Sequence, residues 1–237
     1  MKISVCIPMY NEQDVIVDTA KALSAYMTAH FTDYEILFSN DGSTDKCGDI
    51  VSSLALPNVR VIENEENRGK GSAVREAMLA ATGDIRLFTD ADLAYGTEVI
   101  SRVAETFEQD PNAELVIGSR NLEKNGYEGY TLYRRIASKV YIRVLCMVGG
   151  FHLSDSQCGC KAFRGDAAER IFSKCEVNGY AFDFEAILWA TEWNMKIVEM
   201  PVKVINHGHS KVKLLRDTVR MLRDLRRMKK RIKSTAK

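Results

Sequence analysis

The sequence predicts an α/β fold, a doubly wound and mostly parallel sheet with helices on both faces. Over the first ninety positions, short β-rich apolar runs alternate with helical patterns at steps of about thirty residues, which is typical of such sheets. Polar and acidic residues directly follow three of these runs. Because ligands bind at the carboxyl ends of parallel strands, we expect a site at that edge.

The first four strands are predicted at residues 2–7, 35–39, 59–63 and 85–89. A helix follows the first strand, because apolar residues from Val15 to Met27 recur at steps of three and four. A second helix begins near Thr44, whose hydroxyl or Asp45 could cap it. A third covers about 72–81.

The pattern loosens after residue 95. We expect helices over 96–109, 132–148, 182–193 and 214–232, with a strand at 115–118 and a β-rich segment at 197–205. The last helix is basic and amphipathic. We therefore expect one domain over residues 1–210 and a basic amphipathic membrane-surface helix over residues 211–237.

Composition excludes several classes of protein. The chain has 237 residues, 46% of them hydrophobic, with only 4 Pro and 15 Gly, so it can build a sizeable core and is neither fibrous nor disordered. Its six cysteines contain no CxxC pair, and we expect reduced thiols that serve packing. We expect no signal peptide, and the apolar stretch 140–153 is too short to span a bilayer.

The net charge of +1 conceals an asymmetry. Residues 211–237 carry twelve Lys or Arg and two Asp, a net charge of +10, so residues 1–210 carry −9. A basic amphipathic helix can lie on an anionic membrane surface. A bundle helix with a charged outer face and a nucleic-acid contact are the alternatives. Membrane contact ranks first, and nucleic acid ranks third because no base-reading motif accompanies the charge.

Asp90-Ala91-Asp92 follows the fourth predicted strand. Two carboxylates one residue apart suit a hard divalent cation that also holds phosphate oxygens. Segments 10–12 and 40–43 follow the first two strands and would converge with this motif on one crevice. Each segment taken alone is better explained as a turn or a cap.

The segment Asn67-Arg68-Gly69-Lys70-Gly71-Ser72 has two interpretations. Two glycines, a lysine and a helix N-terminus together favour an anion such as phosphate. A purely structural glycine turn explains the segment about as well. The spacing of a P-loop and the GxGxxG fingerprint of dehydrogenases are both missing.

These motifs together resemble the nucleotide-sugar domain of the family 2 inverting glycosyltransferases, which have a GT-A fold. The resemblance is carried by segments 4–12 (SVCIPMYNE), 40–45 (NDGSTD), 67–71 (NRGKG) and 90–92 (DAD). Segments 118–120, 134–135, 155–163 (DSQCGCKAF), 182–185 and 210–211 resemble the polyprenyl-phosphate branch, nearer to the dolichyl-phosphate glucose synthases than to the mannose synthases. Two departures are Asn40, where the family usually has Asp, and Cys160, where it has an aromatic residue.

The resemblance implies transfer of a hexose, most simply glucose from UDP-glucose, to a polyprenyl phosphate with inversion. It implies Mg²⁺ or Mn²⁺ on Asp90 and Asp92. Seven positions match the donor-binding motifs: Pro8, Tyr10, Glu12, Asp41, Lys70, Asp90 and Ala91. Five are expected to take part in catalysis: Asp92, Arg120, Arg134, Arg135 and Lys211.

The acceptor chemistry leaves rivals open. A phosphate monoester is largely ionised at neutral pH and needs no catalytic base, so the cations Arg120, Arg134, Arg135 and Lys211 would instead bring the two anions together. A saccharide acceptor in polysaccharide synthesis, or a non-catalytic nucleotide-sugar- or nucleic-acid-binding module, are the alternatives. We expect a cytoplasmic protein, peripheral on the cytoplasmic face of a membrane. The roles of four residues stay open: Asp183, Glu185, His207 and His209.

Overall fold

A computed structural model of the chain describes residues 1–127, 132–205 and 214–235. These residues form a seven-stranded sheet. Its strands are β1 (Ile3–Met9), β2 (Tyr34–Asn40), β3 (Val59–Glu63), β4 (Ile85–Phe88), β5 (Leu115–Ser119), β6 (Lys161–Arg164) and β7 (Ile197–Pro201). The helices are α1 (Ile16–His30), α2 (Cys47–Ser53), α3 (Lys70–Ala80), α4 (Val99–Gln109), α5 (Leu132–Gly149), α6 (Gly165–Phe172), α7 (Phe182–Glu192) and α8 (Leu214–Thr235).

The strand order is β3-β2-β1-β4-β6-β5-β7. All neighbouring pairs are parallel except those of β6, which runs antiparallel to both β4 and β5. The predicted mostly parallel α/β sheet is therefore confirmed. Strand β6 and helix α6 were missed by the sequence analysis, because a four-residue strand that begins with a lysine carries too short a pattern to recognise.

The sheet separates two hydrophobic clusters. One cluster joins its first face to α1, α2 and α4, and the other joins its second face to α3, α6 and α7. Strand β1 is buried along its whole length, as expected for a central strand covered on both sides. This packing makes the carboxyl ends of β1, β2 and β4 a rigid platform for the loops that follow them.

The described part of α8 packs on the body of the protein. Leu225, Met228 and Ile232 are buried in the same cluster as Leu145 of α5 and Phe184 of α7. The Lys229 ammonium donates to the Val148 carbonyl at 3.0 Å, close to the end of α5, where a cation is favourable. This end of the helix is therefore built like a bundle helix, and a separate segment over 211–237 stays a prediction.

The six cysteines are free, and all except the half-buried Cys146 are buried. Burial raises the pKa of the Cys158 thiol to about 11 and that of Cys175 to about 12. These thiols stay protonated at neutral pH, as expected for cysteines that serve packing.

Candidate active site

The loops after β1 and β2 are tied together by one side chain. The Asn11 amide oxygen accepts hydrogen bonds from the N–H groups of Thr44 (2.8 Å) and Asp45 (3.3 Å). The Asn11 N–H in turn donates to the Ser43 hydroxyl at 3.0 Å, and Asn11 has a positive φ of 54°. Asn11 lies in segment 4–12 of the sequence, but this role was not predicted for it. Asp45, one of the two predicted caps, accepts from the Cys47 N–H at the start of α2.

Asp41 holds the third loop. Its carboxylate accepts hydrogen bonds from the backbone N–H groups of Arg68 (2.9 Å) and Gly69 (2.8 Å). The neighbouring Gly42 has φ +62°, and a Cβ there would collide with the backbone of Glu66, so this close approach requires glycine. Asp41 thus organises the loop before α3, and its contact with a nucleotide stays a prediction.

The glycine-rich segment before α3 is a structural turn as far as its backbone is concerned. Its Arg68 and Gly69 N–H groups bind Asp41, and the Gly71 N–H donates to the Asn178 carbonyl at 2.7 Å. These three donors are consequently not available to a phosphate. These contacts favour the structural turn for the backbone, and the Lys70 side chain is the part of the segment that reaches Asp90. Phosphate binding by the segment stays a prediction.

A hydrogen bond from helix α1 fixes the Asp90–Asp92 turn. The buried Ala91 carbonyl accepts a hydrogen bond from the Thr19 hydroxyl at 2.5 Å, and the Leu93 N–H donates to the Asp90 carbonyl at 3.1 Å. The Asp92 carboxylate accepts from the Ala94 N–H at 3.1 Å. Burial and the neighbouring Asp90 charge raise the pKa of Asp92. The turn therefore holds two carboxylates close together, a cost that a cation would relieve.

A lysine of the chain lies against this acidic pair. The Lys70 ammonium is 2.5 Å from Asp90 Oδ1. Burial alone would lower the pKa of Lys70, but the Asp90 carboxylate outweighs burial and raises it. The other Asp90 oxygen lies against Gly159, where a Cβ would collide with it. Lys70 and Gly159 together fix the orientation of the Asp90 carboxylate.

Behind Asp90 lies a buried ion pair that sequence analysis did not identify. Strand β6 pairs Lys161 with Phe88, the last residue of β4, which brings this fully buried lysine next to the Asp90 turn. Its ammonium donates to the Cys158 carbonyl at 2.6 Å and is 3.0 Å from Asp183 Oδ1. Burial raises the pKa of Asp183, although Lys161 and Lys70 partly offset it. Asp90, Lys70, Asp183 and Lys161 therefore form one group of alternating charges.

Arg120 follows β5 and is held in a buried ion pair. Its guanidinium makes a bidentate contact with Asp155, with Nε–Oδ2 at 2.6 Å and Nη2–Oδ1 at 2.9 Å. It also stacks on the Tyr127 ring at 5.2 Å. Burial would lower the pKa of Arg120, but Asp155 raises it further. Two of its nitrogens are thus used within the protein, which the sequence pattern did not reveal.

The remaining predicted site residues divide into two groups. Pro8 is buried in β1 opposite Ser39, Tyr10 is exposed in the loop that follows, and the half-buried Glu12 carboxylate lies close enough to help raise the Asp92 pKa. Arg134 and Arg135 lie in the first turns of α5, but their side chains are outside the described part of the structure. Lys211, His207 and His209 also lie outside the described residues.

The chemistry of the acidic turn fits a divalent cation. Carboxylate oxygens are the ligands that Mg²⁺ and Mn²⁺ prefer, and both cations often complete their coordination with substrate phosphates and water. Within the described residues, no group of three or more His, Cys, Asp or Glu side chains could hold a metal ion. Substrate phosphates and water are therefore candidates to complete the coordination of a cation on Asp90 and Asp92.

A mostly parallel sheet with an antiparallel strand beside β4, and an acidic pair immediately after β4, are consistent with the GT-A fold. Residues 4–172 match the family described as Glycosyl transferase family 2. The chain belongs to this family. The match covers more than half of the chain and includes β1 to β6.

Curated relatives match almost the whole chain. A dolichyl-phosphate beta-glucosyltransferase of Dictyostelium discoideum is 29% identical over 96% of this chain and 73% of its own length. The enzyme of the same name from Drosophila melanogaster is 30% identical over 95% of this chain and 73% of its own. These matches extend past residue 172, beyond the part that defines the family.

The fold also matches solved structures. Glucosyl-3-phosphoglycerate synthase from Mycobacterium tuberculosis, solved with Mn²⁺, uridine diphosphate and glucosyl-3-phosphoglycerate, superimposes with a TM-score of 0.67 at 18% identity. The match covers 96% of this chain and 78% of that one. It establishes a common fold.

Proposed function

We propose that the protein transfers glucose from UDP-glucose to a polyprenyl phosphate of the dolichyl type, with inversion at the anomeric carbon. The observation that carries the proposal is the acidic turn Asp90–Asp92, which follows β4 and has Lys70 against it. Relatives that match nearly the whole chain are named dolichyl-phosphate beta-glucosyltransferase. UDP-glucose is the simplest donor consistent with those names and with the uridine diphosphate bound to a protein of the same fold.

The donor diphosphate would lie at the Asp90–Asp92 turn together with Mg²⁺ or Mn²⁺, held by the two carboxylates. When bound, the cation offsets the negative charge that develops on the leaving diphosphate. Lys70 is proposed to move from Asp90 to a donor phosphate oxygen, since its ammonium projects from the first residue of α3 toward the same place. The hydrogen bonds that Asn11 and Asp41 accept keep the surrounding loops in position.

The acceptor phosphate would be drawn in by cations on the β5–α5 side of the site. Arg134 and Arg135 on α5 and Lys211 are proposed for this role, because a phosphate dianion is already ionised and needs only to be oriented. Arg120 is proposed to contribute charge from a fixed position, since Asp155 holds its guanidinium in one orientation.

The place of action is proposed to be the cytoplasmic face of a membrane, with the protein bound peripherally. Among the described residues, no helix combines the length and apolar character needed to cross a bilayer. Exposed cations on α8, Arg226, Arg227, Lys230 and Lys233, would face an anionic surface. We do not expect nucleic acid as a partner.

The proposed function is tested with purified protein, radiolabelled UDP-glucose and dolichyl phosphate. We expect a lipid-extractable glucosylated product that EDTA abolishes and that Mg²⁺ or Mn²⁺ restores. Asp92→Ala should abolish transfer. Asp110→Ala removes an aspartate that pairs with Lys196 and is no part of the acidic turn, so it should not. Full activity in EDTA would contradict the metal site, and transfer to a saccharide in place of the lipid would identify the rival acceptor.

The acceptor residues are tested by separating donor binding from turnover. Arg134→Ala and Arg135→Ala should lose transfer to dolichyl phosphate while their affinity for UDP-glucose stays near that of the unaltered protein. Arg120→Lys is preferable to Arg120→Ala, because it leaves a cation beside the buried Asp155. If donor affinity falls as much as turnover, these residues belong to the donor site or to the fold.

A further inference from the structure

The carboxylate of Glu185 lies at the centre of a small network outside the acidic turn. Glu185 is fully buried in the first turn of α7. Its oxygens accept hydrogen bonds from the Glu176 N–H at 2.9 and 3.0 Å and from the Val177 N–H at 2.7 Å. Arg231 of α8 forms ion pairs with both Glu185 and Glu176. Three backbone or charged groups thus fix one buried carboxylate.

The segment held by Glu185 packs directly on the N-terminus of α3. The Asn178 carbonyl accepts the Gly71 N–H at 2.7 Å, and the Asn178 amide oxygen accepts Arg75 Nη2 at 2.9 Å. A Cβ on Gly71 would collide with the Val177 carbonyl, and one on Gly69 would lie 2.5 Å from the Asn178 carbonyl. The two backbones therefore touch with no side chain between them, and a shift of one must move the other.

Lys70 stands between these two contact points, Gly69 and Gly71, and its ammonium is the group that meets Asp90. We propose that the Arg231–Glu185 ion pair is a positioning device for Lys70. Glu185, paired with Arg231, fixes segment 176–179 through the N–H groups of Glu176 and Val177. That segment contacts the first turn of α3, which sets the position of the Lys70 ammonium beside Asp90. The consequence for the donor rests on the proposed function, whereas the positioning itself does not.

The ion pair also joins α8 to the donor side of the protein. Arg231 lies in the last part of α8, one turn after Met228 and next to Ile232, both buried against the body. Since Glu185 is buried, its charge requires the guanidinium, and removal of Arg231 leaves a buried carboxylate without its cation. Docking of α8 is therefore coupled to the order of the first turn of α3.

The test compares Arg231→Gln with Arg227→Gln in the full chain. Arg227 is exposed on the same helix one turn earlier, so both variants lose one positive charge. We expect Arg231→Gln alone to speed amide hydrogen exchange at Gly71 and at segment 176–179. It should also weaken UDP binding, measured by calorimetry with Mn²⁺, by about fivefold or more, the lower end of typical coupling between linked sites. Arg231→Lys should recover part of both effects.

A second variant guards against simple unfolding. Glu185→Gln combined with Arg231→Gln removes both charges, so no unpaired buried charge remains. We expect it to fold and still to show faster exchange at Gly71, because a glutamine amide cannot accept all the hydrogen bonds that the carboxylate accepts. Unchanged exchange at Gly71 in both variants would overturn the proposal, as would an equal loss of UDP affinity in Arg227→Gln. If the unaltered protein binds no UDP, the proposed function fails, and the exchange result still decides the positioning role.

Discussion

Lys70 lies against one of the two carboxylates that are proposed to hold a divalent cation. Its ammonium is 2.5 Å from Asp90 Oδ1, and the Asp90 carboxylate raises its pKa despite burial. A metal ion on Asp90 would compete with this internal cation, so we expect Mn²⁺ to bind weakly until a nucleotide diphosphate binds the Lys70 ammonium. Lys70→Met should therefore tighten Mn²⁺ binding to the nucleotide-free protein and weaken UDP binding.

The measurement is the electron paramagnetic resonance signal of free Mn²⁺ during titration, with and without UDP. The matched control is Lys46→Met, which removes an exposed positive charge from the neighbouring loop. If both variants change Mn²⁺ affinity by the same amount, the effect is one of overall charge, and the displacement idea is wrong.

Asp92 should make the metal-free protein less stable at neutral pH. Burial and the charge of Asp90 raise its pKa in the folded state. The folded protein therefore binds the proton more tightly than the unfolded chain, and ionised Asp92 costs stability above the ordinary aspartate pKa of about 3.9. We expect Asp92→Asn to raise the melting temperature in EDTA at pH 7, and this gain to vanish at about pH 3, where both states are protonated. A gain of equal size at both pH values would exclude this origin.

Helix α8 is expected to be part of the folded core. Leu225 is fully buried among apolar residues of the second cluster, so Leu225→Ala should cost about 2–5 kcal/mol of unfolding free energy. Arg226→Ala, at the adjacent exposed position, should change it by less than about 0.5 kcal/mol. Urea unfolding followed by circular dichroism measures both values. A loss at Leu225 no larger than at Arg226 would show that this end of the helix is not docked.

The elements differ in how far the sequence could predict them. Strands β1 to β4 and their helices were found because each βα unit carries its own apolar period and its own turn. Strand β6 was not found, because its partners β4 and β5 lie far away in the chain and decide its pairing. The same limit applies within the site. Asp90 and Asp92 share one turn, whereas Lys161 meets Asp183, and Arg120 meets Asp155, only after the sheet has formed.

Over the whole molecule, the positive charge of residues 211–237 and the negative charge of residues 1–210 lead us to expect that α8 is the part that binds an anionic membrane. Four exposed cations on α8, Arg226, Arg227, Lys230 and Lys233, can attract an anionic surface by about 1 kcal/mol each. Replacing all four by Gln should reduce binding to phosphatidylserine vesicles by about tenfold or more and weaken its salt dependence. The apolar face that docks the helix is left intact by this change, so circular dichroism should show an unaltered fold.

Vesicle sedimentation at several salt concentrations checks the expectation. A control matched in charge replaces four exposed cations outside α8, for instance Lys21, Lys46, Arg60 and Lys174, by Gln. Equal loss of binding in the control would indicate that net charge alone drives the association. Unchanged binding in the α8 variant would place the membrane contact on another face, such as the exposed Val140 and Met147 of α5.

The antiparallel strand β6 has a consequence for the order in which the chain can assemble during synthesis. Strands β1 to β4 are complete once residue 88 has left the ribosome, and they are consecutive neighbours in the order β3-β2-β1-β4. The free edge of β4 must then wait for residues 161–164, more than seventy residues later, before β5 and β7 can join the sheet. Pairing between residues so far apart in the chain is slow. An unpaired apolar strand edge can meanwhile pair with other chains. We therefore expect the outer edge of β4 to stay exposed in a nascent chain until β6 pairs with it, which is the stage at which a chaperone could protect it.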